Sequence, residues 1–132
     1  MKIEELFIGA WVLDNGKPAH VTYLSCFGDI GTTCSEHTFI GMVEPVPLTN
    51  EILYGHGFDY HHKNYASLEY PSGNTFMLAH IDEGVWCIND LWRIRYVHEL
   101  QLALRVHGVN KEINLYWNYG KENKQTAAEL AE

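Results

Sequence analysis

The sequence predicts an α+β fold in a single domain, an antiparallel sheet of short strands beginning with an N-terminal hairpin and joined by two helices, about 50–56 and 96–107. Three observations carry this. Asn15-Gly16 lies between two strand-like runs in WVLDNGKPAHVTYL. PVPLTNEILYGHGF and YVHELQLALRVHG show helical spacing closed by glycine, and the stretch between them alternates apolar runs with turn residues.

In chain order, Asn15-Gly16 tolerates the positive φ angles of a tight hairpin turn, which sets Asp14 opposite Lys17 and Trp11 opposite His20. FGDIGTTCSEHTFIGMVE (27–44) mixes short apolar pieces with Gly, Thr and Ser and predicts one or two further short strands. Thr49 is placed to cap the first helix, with Glu51 in its first turn where the dipole favours an anion. Leu48 and Leu53 have the spacing of a hydrophobic staple. Gly57 suits the left-handed residue past the helix end, and Phe58 can fold back on Leu53. NYASLEY, TFMLAHI, VWCI and LWRIR, separated by PSGN, DEG and ND, make a meander.

The second helix carries Tyr96, Val97, Leu100, Ala103 and Leu104 as one apolar stripe. Gly108 ends it, and Val109 is placed to pack on Leu104. EINLYW (112–117) reads as a closing strand. Residues 1–120 then form the domain, and 121–132 a polar, frayed tail.

Composition bounds the function. A chain of 132 residues with this apolar content suffices for one domain. The net charge of −8 argues against a general nucleic-acid binder, whose affinity comes from neutralising phosphates. Residues 1–60 carry two Lys against eight Asp or Glu, and the remainder seven basic against nine acidic groups, so the acidity is concentrated in the first half. Glu4 and Glu5 ahead of a short apolar run do not read as a signal peptide. No stretch approaches the roughly 18 apolar residues of a membrane span. Three cysteines without a framework spacing (Cys26, Cys34, Cys87) predict reduced thiols and a cytoplasmic location.

The blocks EELFIGAWVLDNGKPAHVTYL, VEPVPLTNEILYGHGF and YVHELQ, in that order, resemble a small uncharacterised protein family of Bacteroidetes bacteria and their phages or mobile elements. Its pattern is an "IGN-V…NGK…V" start, a "PIPLT…L…GF" middle and a "YVHQLQN" helix. The blocks cover about half of the chain, which departs from the pattern after YVHELQ, at LALRVHGVN. The resemblance implies a phage or mobile-element setting and supplies no mechanism.

YGHGFDYHH (54–62) is the densest cluster of reactive side chains. His56 stands at the C-cap of the first helix, where the dipole favours an imidazolium, and His61 and His62 point to opposite sides if extended. That leaves too few ligands for a tetrahedral zinc site. Cys34-x-x-His37 has ligand-like spacing but no second close pair. No Gly-x-Ser-x-Gly elbow or phosphate loop occurs, and Asp82-Glu83 are adjacent turn residues that cannot flank a substrate. The expectation is therefore no metal, no cofactor, no catalytic residue and no enzyme.

Projected at about 100° per residue, His98, Gln101 and Arg105 share a polar edge of the second helix, a candidate binding stripe for a carboxylate, phosphate or partner backbone. Leu102 and Val106 form a second apolar stripe, a candidate interface. Coverage by the strand at 112–117 or the tail is the favoured expectation, with a homodimer as the rival. The function expected is a non-catalytic accessory or interaction protein of a phage or mobile element, acting on a protein partner. The alternatives are an acidic inhibitor occupying a nucleic-acid-binding site on a host or rival protein, and a small metal-dependent hydrolase.

Overall fold

A computed structural model of the chain describes residues 3–25, 27–62, 65–69, 75–88 and 92–116. The protein is α+β, and its strands pair antiparallel throughout. They form two five-stranded sheets rather than the one sheet that the pattern predicts. The fold divides into two compact units, Met1–Val46 with Tyr96–His98, and Pro47–Arg95 with Glu99–Glu132.

In the first unit, β1 (Trp11–Asp14) and β2 (Lys17–Leu24) form the expected hairpin, with Trp11 opposite His20 and Asp14 opposite Lys17. Asn15 (φ 53°) and Gly16 (φ 81°) both take the positive angles that this turn requires. The 27–44 stretch supplies three short strands, β3 (Asp29–Thr32), β4 (Thr38–Phe39) and β5 (Val43–Pro45), in the sheet order β4-β3-β2-β1-β5. Pro45 lies on the edge strand, where a missing N–H costs no ladder bond. Val12, Val21, Ile30 and Val43 pack with Leu6 and Ala10 on one face of this sheet.

Asp14 is buried on that same core face, and the Thr32 hydroxyl donates to its Oδ2 at 2.7 Å. Thr32 Oγ1 in turn accepts from the N–H groups of Cys34 and Ser35, at 3.1 and 3.0 Å. The carboxylate at the hairpin end thereby holds the turn that follows β3.

The second unit opens with α1 (Asn50–Gly55), whose Thr49 Oγ1 accepts from Ile52 N–H at 3.2 Å. Both Leu48 and Leu53 of the staple are buried. The meander then runs through β6 (Asp59–His62), β7 (Tyr65–Glu69), β8 (Thr75–Asp82), β9 (Val85–Ile88) and β10 (Trp92–Ile94), each strand beside its sequence neighbour. Cross-strand partners share a face, so the pairs Ala66–Leu78, Leu68–Phe76 and Trp86–Ile94, all buried, define its core side. α2 (Val97–Val106) follows, and Glu99 in its first turn reaches back to accept from Arg95 N–H at 2.9 Å. No helix among the described residues is long and apolar enough to cross a membrane.

The two helices end alike. Phe58 N–H bonds Leu53 O and Gly57 N–H bonds Tyr54 O, while Val109 N–H bonds Leu104 O and Gly108 N–H bonds Arg105 O. Each is the paired closure around a left-handed glycine, at φ 88° for Gly57 and 70° for Gly108.

The closing strand expected at 112–117 is corrected over its described residues: 112–116 pair with no strand. Burial does alternate, with Ile113 and Leu115 inside. The backbone, however, bonds side chains: Asn114 N–H donates to His56 Nε2 at 2.9 Å and Tyr116 N–H to Asn114 Oδ1 at 3.0 Å. The turn 71–74 and the tail 121–132 lie outside the described residues.

At Gly57, an added Cβ would meet only Lys111 Nζ at 3.6 Å and Leu68 Cδ1 at 3.8 Å, so space is not what selects glycine. Gly57→Ala should cost about 1 kcal/mol through backbone strain alone. Thermal unfolding checks this, and an unchanged midpoint would mean that α1 closes differently.

Candidate protein-interaction surface

The described histidines do not gather. His20 meets Trp11 edge-on at 5.2 Å, His80 stacks on Trp86 at 4.8 Å, and His98 stacks on Tyr96 at 5.9 Å. His107 Nδ1 bonds Ala103 O at 2.9 Å, and its ring meets Phe76 edge-on at 5.5 Å. Among the described residues, no group of three or more His, Cys, Asp or Glu could hold a metal ion. Cys34 is exposed with Sγ 3.9 Å from Pro18 O, Cys87 is buried, and Cys26 lies outside the described residues, as do the side chains of His61 and His62. Asp82 caps its own turn, accepting from Glu83 N–H at 2.8 Å.

His56 is a fastener. Its Nε2 accepts from Asn114 N–H, so Nδ1 carries the proton and donates to Ile52 O at 2.7 Å. The imidazolium that the dipole would favour at this C-cap is overruled. Burial lowers the pKa below the ordinary 6.5, and the Lys111 ammonium pushes the same way, against the bond to Ile52 O.

The residues of the predicted helix stripe separate. His98 is buried at 4 % exposure, Gln101 is half-buried, and Arg105 is exposed. A solvent-facing trio is therefore corrected to Gln101 and Arg105, because the His98 ring lies inside against Tyr96. Leu102 and Val106 are 40 % and 64 % exposed. Of the expected cover, residues 112–116 turn their apolar side chains, Ile113 and Leu115, into the interior, and the tail lies outside the described residues.

The larger exposed apolar feature lies on the first unit, on the sheet face opposite its core. β2 pairs Val21 with Thr32 and Tyr23 with Gly31, leaving Thr22 as an extra residue. That bulge turns Tyr23 away from the core side, where unbroken alternation from Val21 would have put it. The Tyr23 ring then lies directly over Gly31, covering a backbone that has no side chain of its own. His37 meets this ring edge-on at 5.7 Å, and its Nδ1 shares a hydrogen bond with the Tyr23 hydroxyl. Asp29 pairs with Phe39, which puts both on the Gly31 side, and Phe39 is 63 % exposed.

In the turn between β2 and β3 stands Phe27, 89 % exposed. The turn that presents it is closed by its own bonds. Ser25 Oγ accepts from Phe27 N–H at 3.1 Å, Gly28 N–H bonds Ser25 O at 3.2 Å, and Ser25 N–H bonds Asp29 O at 2.9 Å. Gly28 takes φ 89°. Ile40 N–H bonds Gly28 O at 3.1 Å, tying this turn to the short helical turn Ile40–Met42, which carries exposed Met42. The sequence marks the turn through Gly28-Asp29 but not the direction of its aromatic residue.

Two outcomes follow. Gly31→Ala would drive a Cβ into the Tyr23 ring, with Thr22 Oγ1 also only 2.8 Å away. It should destabilise by about 1–3 kcal/mol and abolish the Tyr23–His37 bond, read by melting and by the His37 ring resonances. For His56 the folded pKa lies below 6.5, so the unfolded chain takes up the proton first. Its contribution is fully present above pH 6.5 and is lost as the pH falls from there toward the folded value. The melting midpoint should decline in that window, and His56→Gln should flatten part of the decline; an identical slope in the variant would refute the assignment.

No protein-family model matches the chain, and neither does any curated protein or solved structure.

Proposed function

We propose that the protein is a non-catalytic interaction protein, an accessory of a phage or mobile element in the setting that the sequence resemblance implies, and that it contacts a protein partner through the aromatic face of its first sheet. The observation that carries this reading is Phe27, held almost fully exposed by the hydrogen-bonded turn between β2 and β3, with Phe39 also exposed on β4, the strand paired to β3. An exposed Phe forfeits roughly 1.5–3 kcal/mol available from its burial. A partner that accepts the ring recovers this, with little ordering cost because the turn is already set. Scattered exposed apolar residues are ordinary, whereas exposed aromatic rings presented by hydrogen-bonded backbone are common anchors of an interface.

The test compares the native protein with a Phe27→Ala/Phe39→Ala double variant as baits in host lysate. Both should melt alike, since neither ring is in the core, and the variant should lose the partner that the native protein retains. Retention of the same partner by the variant would overturn the reading.

A further inference from the structure

We propose that the partner presents a cationic protein surface around an apolar recess; this rests on the reading of the aromatic face as the contact surface. The charge on the face itself selects such a partner. Asp29 is paired with Phe39, and Glu44 is paired with Leu13, both on the side away from the unit's core. Glu36 is exposed in the segment between β3 and β4, directly before His37. Among the described residues of this unit, Lys17 is the only Lys or Arg, and it stands at the hairpin turn.

Each aromatic anchor thus has an anionic neighbour and no cationic one in sequence or register. Such a face repels phosphates and acidic proteins at a distance, and it accelerates encounter with a basic surface. Apolar anchors on an anionic face divide the work. The rings supply affinity once water is excluded, and the carboxylates select the partner and set the on-rate. A stacking platform for single-stranded nucleic acid would need the same aromatics, but with a basic groove to follow the backbone. The carboxylates exclude that use. A protein's own nucleic-acid-binding site is one surface of the required kind, being basic and built to receive anions.

Isotope-labelled full-length protein titrated with three amphipathic helical peptides of equal length, Lys/Leu, Lys/Ser and Glu/Leu, tests this. The Lys/Leu peptide should shift the amide resonances of Phe27, Asp29, Phe39 and Glu44. Its affinity should fall about tenfold or more between low and high salt, as binding steered by charge does. Glu36→Lys with Glu44→Lys should remove that salt dependence and most of the affinity. Phe27→Ala with Phe39→Ala should weaken binding and keep its salt slope.

Equal binding of the Glu/Leu peptide at the same resonances, or no effect of the charge reversal, overturns the cationic partner while leaving the contact surface standing. Lys/Leu shifts confined to other residues and indifferent to the Phe substitutions overturn the contact surface itself. Shifts of the same four resonances by duplex DNA would also overturn the proposal.

Discussion

The outward direction of Tyr23 depends on a single extra residue in β2, because side chains alternate along a strand and one inserted position reverses the side chains that follow it in that strand. Thr22 is that position. Before it, Val21 points into the core of the first unit; after it, Tyr23 points out and Leu24 returns to pack against that core. The reversal also requires a partner strand able to accept a ring laid flat on its backbone, and Gly31 is the only residue type that permits it. Bulge and glycine are one device. Together they turn a strand that would bury its tyrosine into one that displays it, with His37 locked to its hydroxyl.

The second unit shows the opposite economy, in which reactive-looking side chains are consumed by structure. His-Gly ends both helices, at His56-Gly57 and His107-Gly108, and in each the imidazole Nδ1 bonds the carbonyl four residues back. A helix leaves its last carbonyls without backbone partners, and a ring donor folded over the final turn satisfies one of them. The glycine then permits the reversal that packs Phe58 and Val109 inward. Of the three histidines in the 54–62 cluster, His56 is the one whose side chain is described, and it serves as a helix terminator.

What was legible in the sequence is what is local. The Asn15-Gly16 turn, the Thr49 cap and the glycine closures are each decided within a few residues, by φ preference or by one hydrogen bond, and all stand where the pattern puts them. The split into two sheets was not legible, since the same alternation serves either arrangement and only Pro45 hints at an edge. At 112–116 the periodicity foretold burial correctly and pairing wrongly, because alternation records which side chains go inside and not what the backbone bonds. The helix projection placed His98 at the polar edge, and the Tyr96 ring took it inside. Phe27 was invisible as a site because its exposure comes from the hydrogen-bonded turn that carries it, which composition does not mark.

The His56–Asn114 bond also has a temporal side. It joins residues 58 positions apart, while nearly all the pairing of this unit runs between adjacent strands of a meander. Local hairpins close cheaply, whereas a long loop must surrender far more chain entropy before its contact is made. The bond therefore belongs late on the folding route, after the meander and α1 exist to receive it. An interaction made only on the native side of the barrier leaves the folding rate almost untouched and acts on the rate of coming apart. In the lifetime of the folded chain, the buried imidazole is a latch rather than a nucleus.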